Sequence, residues 1–237
     1  MTKQQLESFE KEINAELFQR ARQEKSLHDP ITDGLIDIDR YLATHPKILW
    51  LLKEPWEPLA EGEAGGDWSI PEYLAGKGKI GNKGTWTRMA YASFSIFNGF
   101  CDYSTIKYAT EDPRVQDSLR HIGYINVKKF PGKSSSDPAE IQNYYDNNRA
   151  LLNRQIATYQ PDVVIAGGIL HLFYQDFGIQ RSDLTSAGSL EYCVRDGRLY
   201  INAYHPGYWQ FKEETYVNDL TTVIKTHSAK LPPTVGI

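Results

Sequence analysis

Four short runs of the chain are almost wholly apolar, and each breaks off abruptly. Lys47-Ile48-Leu49-Trp50-Leu51-Leu52 stops at Lys53-Glu54-Pro55-Trp56, and Tyr124-Ile125-Asn126-Val127 runs into the loop Lys128 to Ser136. Asp162-Val163-Val164-Ile165-Ala166 turns over at Gly167-Gly168, and Leu199-Tyr200-Ile201-Asn202-Ala203 delivers Tyr204-His205-Pro206-Gly207-Tyr208-Trp209. The first and third read as buried strands, the third as one buried on both faces of a parallel sheet, and the other two as β-rich strand runs. Between the second and third, Asp137 reads as a helix N-cap, with Pro138 at the first helical position and Glu140 completing a capping box. Ile141, Tyr144, Tyr145, Leu151, Leu152, Ile156 and Tyr159 then recur at helical intervals until Pro161 ends the stripe.

The same periodicity predicts an outer helix from about Lys3 to Glu24, carrying no visible chemistry, and shorter ones over Ile36 to Ala43 and Leu170 to Phe177. Thr85 is the expected cap of a helix ending at Asn98-Gly99. Asp112-Pro113 opens another helix, up to His121, and Lys212 to His227 forms the last. Asp196-Gly197, between Leu190–Arg195 and Arg198–Ala203, is a two-residue hairpin signal. Alternating strands and helices predict an α/β fold: a three-layer αβα sandwich with a central, mainly parallel four-stranded sheet plus a β-hairpin strand. The expected organisation is an N-terminal helical extension over 1–45, one α/β domain over 46–228 and a loose tail over 229–237.

Composition narrows the class. A chain of 237 residues with 41% hydrophobic content suffices for one domain, and Cys101 and Cys193 are too few and too far apart for a disulfide framework or a thiolate metal site. No metal or cofactor is expected. The first residues lack an apolar signal core and no stretch is long enough to cross a bilayer, so a cytoplasmic protein with no membrane partner is expected. The net charge of −4 argues against broad attraction to a polyanion but permits a local basic groove. One such place is Glu57 to Gly84, which carries seven glycines together with Lys77, Lys79 and Lys83. It reads as a solvated loop or as a flap whose backbone can approach a phosphate. It is not a Walker loop, since the glycine-to-lysine spacing differs and no Lys-Ser/Thr pair follows.

Chemistry gathers at the strand ends. In a parallel sheet the carboxyl ends of the strands share one edge, and ligands bind there. A carboxylate (Glu54), an amide (Asn126), a backbone-exposing turn (Gly167-Gly168) and an imidazole (His205) are therefore expected on one rim. Singly, each has an ordinary reading: a turn acid, a loop-bracing amide, a strand exit. Together they form a constellation.

In order and spacing these motifs, spanning roughly Pro46 to Trp209, resemble the uracil-DNA glycosylase superfamily. Ile125-Asn126-Val127-Lys128-Lys129-Phe130-Pro131, followed by Tyr159-Gln160-Pro161-Asp162-Val163-Val164-Ile165-Ala166-Gly167, is similar to the asparagine strand and the Pro-x-Val-x-x-x-x-Gly strand of its bacterial and thermophilic branches. Leu51 to Trp56 resembles the motif whose polar residue before proline orients water, and His205-Pro206-Gly207 resembles the His-Pro-Ser motif. The resemblance implies cleavage of an N-glycosidic bond to a flipped, deaminated or damaged base, uracil foremost. It implies that Glu54 orients water, Asn126 reads the base edge, His205 stabilises the leaving base, and Trp56 or Trp86 stacks on it. Lys128, Lys133, Ser134, Ser135, Gly167 and Gly207 become DNA contacts, and Tyr208 and Trp209 a wedge. The implied partner is DNA, single-stranded or mismatched duplex, bound by a monomer without cofactor. Three departures stand out: Glu54 where relatives carry Asp or Asn, Gly207 in place of serine, and no iron–sulfur cysteines. A non-catalytic relative that binds nucleic acid, a nucleotide or a protein through the same rim is the alternative. A dinucleotide enzyme is disfavoured because Gly167-Gly168 lacks the G-x-G-x-x-G pattern.

Overall fold

The computed structural model describes residues 1–76 and 78–227, so Lys77 and the expected loose tail over 229–237 lie outside the described residues. A mixed sheet of seven strands organises the chain: β1 (Gly34–Leu35), β2 (Ile48–Leu52), β3 (Ile122–Asn126), β4 (Val163–Gly167), β5 (Thr185–Ala187), β6 (Leu190–Arg195) and β7 (Arg198–Ala203). Their spatial order is β1-β3-β2-β4-β7-β6-β5. The central neighbours β3, β2, β4 and β7 pair in parallel, whereas β1, β6 and β5 add antiparallel edges. The sheet is thus wider than four strands and a hairpin. The extra strands β1 and β5 are two and three residues long, too short for a periodic signal.

The helices are α1 (Lys3–Gln23), α2 (Ile38–Ala43), α3 (Ile70–Ala75), α4 (Thr85–Phe97), α5 (Pro113–Asp117), α6 (Pro138–Tyr159) and α7 (Glu213–His227). Every residue of β2, β3 and β4 is buried, as continuous apolar runs require. Alternate side chains face opposite ways. Ile48, Trp50, Leu52, Ile165 and Ile201 join one cluster with Met89 of α4 and Leu220 of α7. Leu49, Leu51, Ile125 and Val164 join another with Ile141, Leu152 and Ile156 of α6 and Leu6 of α1.

Local signals set most element ends, with three differences. Asp137 caps α6 by accepting from the Ala139 amide, but Glu140 does not close a capping box; its carboxylate reaches Lys128 instead. Thr85 is the first residue of α4 rather than its cap; Gly84, at φ 120°, precedes it and offers no capping side chain. Leu170–Phe173 is a 3-10 turn, not a longer helix. Asp196 and Gly197 both adopt positive φ, the requirement of a tight hairpin whose twist matches its strands.

Residues 1–45 are tied into the sheet by polar bonds as well as by β1. Asp33, almost fully buried, accepts the Asn126 backbone amide at 2.7 Å and pairs with Lys129 Nζ at 2.5 Å. Lys129 also donates to Gln155 of α6 at 2.9 Å, and the Ile31 amide bonds back to the Lys129 carbonyl at 2.7 Å. Farther along, Tyr159 donates to Glu10 of α1 at 2.6 Å. Burial raises the Glu10 carboxyl pKa to about 7, outweighing the hydrogen bonds from Tyr159 and the Leu35 amide. Helix α1 therefore carries a half-buried acid where the sequence pattern shows only an amphipathic stripe.

Removing one partner of a buried ion pair leaves the other charge desolvated and unpaired. Lys129→Met is expected to lower unfolding free energy by about 3–5 kcal/mol. Adding Asp33→Leu should cost less than a second loss of that size, although the Asn126 amide then loses its acceptor. Urea titration of the wild type, both single variants and the double variant reads this coupling; strict additivity would refute it.

Candidate active site

The parallel centre brings four strand exits to one edge. Strand β2 lies between β3 and β4, so the chain leaves it to one side and later returns on the other. That reversal is the switch point at which open α/β sheets form their crevice. A cleft of about 790 Å³ opens there.

Glu54 and His205 both line it, two residues beyond β2 and β7. Trp56, Trp86, Lys133, Ser134, Ser135, Gly207, Tyr208 and Trp209 share the same wall. Asn126, Lys128 and Gly167 do not. Asn126 ends β3 with no exposed surface. Tyr124, two residues earlier and hence on the same strand face, lines the cleft instead. Burial pushes the Tyr124 hydroxyl pKa up, against the opposing influence of the Trp86 and Asn126 side chains beside it. The Asn126 amide faces the same hydroxyl, yet neither its Oδ1 nor its Nδ2 makes a hydrogen bond. A buried amide left this way costs about 1–3 kcal/mol for each unsatisfied group.

Lys128 is buried rather than presented to a phosphate. Its ammonium lies 2.9 Å from Glu54 Oε2 and 2.9 Å from Glu140 Oε1. Burial, the largest influence on it, favours the neutral form, but Glu140 and Glu54 together outweigh this and raise its pKa. The contact with Glu54 is an ion pair without hydrogen-bond geometry, which leaves Glu54 Oε2 buried with no hydrogen-bond donor. Gly132 closes over the same carboxylate: a Cβ there would sit 2.3 Å from Glu54 Cδ. Its amide donates to the Pro55 carbonyl at 2.7 Å, fixing the two loops to each other.

Gly167 is packing rather than a DNA contact, since a Cβ on it would meet Leu52 Cδ2 at 2.5 Å and the His205 Cα at 3.4 Å. A side chain at Gly207 would come within 2.9 Å of Thr85 Oγ1 and 3.2 Å of His205 Nδ1. The close approach of α4 therefore leaves little room for a side chain at this position. The Gly207 amide donates to His205 Nδ1 at 3.1 Å, so the neutral ring carries its proton on Nε2. Burial, reinforced by Lys53, lowers the His205 pKa to about 4. A neutral imidazole with its N–H on Nε2 is a donor that a hydrogen-bond acceptor in the cleft can use.

Charge on the wall is one-sided. Lys53, Lys79, Lys83 and Lys133 line the cleft, none of them in an ion pair among the described residues, and Glu54 is the only acid beside them. The start of α4, which has no side-chain cap, contributes Gly84 to Thr87 to the lining. Arg88, the lone charge in an apolar helix, is unanticipated from sequence. Its guanidinium donates to the carbonyls of Tyr208 and Phe211, both at 2.7 Å, and lies 3.7 Å from Glu213. It braces the segment that follows His205. Tyr124 was legible in principle, because an i−2 neighbour shares the face of Asn126.

Two histidines set the acid side of the stability profile. Burial lowers the His121 pKa to about 4 as well, assisted by Arg40. Between an unfolded value of about 6.5 and about 4 the unfolded chain takes up these protons and the native state does not. Stability present at neutral pH is therefore lost as the pH falls through that window. Glu10, with its raised carboxyl pKa, gains stability over the same window and offsets part of this, so the test is the difference between proteins. In equilibrium unfolding from pH 7 to 4, His205→Asn should lose less stability than the wild type, and an identical pH dependence would contradict a neutral His205.

Arg88→Leu removes the donor of the Tyr208 and Phe211 carbonyls and the cation beside Glu213, which keeps the Tyr103 hydroxyl. It should lower stability by about 3–5 kcal/mol, and thermal unfolding checks this.

No family model matches this chain, and no curated protein matches it in sequence.

Proposed function

We propose that the cleft hydrolyses the N-glycosidic bond of a flipped base in DNA, on a three-layer αβα sandwich of the uracil-DNA glycosylase type. The observation that carries this reading is that a carboxylate, Glu54, and an imidazole whose Nδ1 accepts a backbone amide, His205, line the same cleft at the switch point of the sheet. In the proposed reaction Glu54 orients a water whose oxygen bonds to C1′ while the proton that water loses passes to the Glu54 carboxylate. The C1′–N bond breaks, its electron pair departs with the base, and negative charge builds on the base oxygen. The His205 Nε2–H donates to that oxygen, and stabilising charge that develops only in the transition state is what accelerates the step. Lys53 supplies further positive potential beside the ring.

Asn126 reads the base edge in this scheme only once Tyr124 moves aside, since the tyrosine stands between the amide and the cleft. The two unpartnered amide atoms support that role: a pyrimidine edge offers one donor and one acceptor, which an amide satisfies together. Trp86 and Trp56 are the stacking partners, and Lys133, Ser134 and Ser135 the phosphate contacts. The chain acts as a monomer in this scheme.

One observation favours a second reading. Glu54 is paired to Lys128, and Asn126 is enclosed, an arrangement that suits a ligand-binding relative without turnover. The two readings separate in a single assay. Purified protein incubated with uracil-containing single strands and mismatched duplexes should generate abasic sites. Asn126→Ala and His205→Ala should each lower the rate by about 10²–10³-fold, the usual loss on removing one transition-state donor. No cleavage of uracil, hypoxanthine or xanthine, with oligonucleotide binding that survives Glu54→Gln and His205→Ala, would establish the binding reading instead.

A further inference from the structure

The mouth of the cleft carries more exposed aromatic surface than stacking on one flipped base requires. Trp209 is 81% exposed and Trp56 is 62% exposed, and both line the cleft. Tyr208 stacks on Tyr204 at 5.2 Å between ring centroids, and Tyr204 stacks on Phe211 at 5.3 Å. Large rings held in water are the informative exception among surface residues. These are not on a slack loop, because Arg88 pins the carbonyls on either side of Trp209.

We propose that this mouth binds single-stranded DNA, with unpaired bases laid on Trp209, Tyr208 and Trp56 and phosphates held by Lys79, Lys83 and Lys133. The inference rests on the base-excision reading for the choice of DNA, but the binding itself does not need turnover. Flat exposed rings beside a lysine-lined groove are the combination that recognises unpaired bases, since every base has a face to stack. A duplex keeps those faces against each other and offers the rings only its ends. Charge points the same way. The chain is acidic, with a net charge of −4, yet the cleft wall holds four lysines against Glu54, so attraction for a polyanion is confined to the groove. A single strand can follow a groove; a duplex would spread phosphates over the acidic remainder.

The test is fluorescence anisotropy with a fluorescein-labelled thymidine dodecamer that contains no uracil, single-stranded and annealed, at two salt concentrations. The single strand should bind at least about tenfold tighter than the duplex. Trp209→Ala and Trp56→Ala should each weaken it by about 5- to 100-fold, as loss of one stacked base does. Lys133→Ala should reduce the salt slope by about 0.7. Circular dichroism of the two tryptophan variants, whose rings are mostly outside the core, verifies that they fold. Equal or tighter duplex binding, or unchanged affinity in both tryptophan variants, overturns the proposal. Tight single-strand binding without excision of uracil sustains it while refuting the glycosylase reading. Excision from duplex alone, with no affinity for the single strand, does the reverse.

Discussion

The buried contact between Lys129 and Asp33 is the constraint on which the site depends. Strand β3 lies next to the edge, covered only by the two residues of β1, and its last residue, enclosed behind the cleft, must still be held in place. Asp33 does this by accepting the Asn126 amide, and Lys129 neutralises Asp33 from the next turn of chain. Two charges this deep are expensive to desolvate, and a pair of apolar side chains would hold the core together about as well. What apolar packing lacks is direction: Asp33 fixes one backbone amide, and Lys129 adds Gln155 of α6, so that strand, helix and N-terminal segment share one register.

A second ionic contact acts on the opposite side of that loop. Lys128 and Lys129 are neighbours in sequence but point to different partners, one to Glu54 and Glu140, the other to Asp33 beside the end of β3. The loop is pinned on both faces, and the Glu54 carboxylate is held against Gly132 beneath it. The cleft thereby keeps its exposed lysines for a ligand while its acid is balanced internally. Positive potential at the mouth and a neutral imidazole within are compatible because burial, aided by Lys53, denies His205 its proton.

Much of this was legible in the residue pattern. Continuous apolar runs announced the central strands, since burial on both faces leaves no room for polar alternation, and their parallel order placed Glu54 and His205 on one rim. Two kinds of feature were not legible. Edge strands such as β1 and β5 are defined by pairing with a neighbour rather than by their own composition. Side-chain partners far apart in sequence carry no local mark. Lys128 reads as a phosphate contact because a lysine in a loop is ordinarily solvated, and only the fold reveals Glu54 and Glu140 around it. Asp33 reads as part of a turn, and nothing nearby announces the amide it holds 93 positions away.

Gly132 shows how far the influence of such contacts reaches. It carries no functional group, yet even a methyl group there would overlap the carboxylate of Glu54. In a saturation-mutagenesis screen this position would score with the reactive residues, and a map drawn from loss of function alone would assign it a role in chemistry. Its contribution is vacancy: the volume that a side chain would occupy is already filled by the acid of another loop.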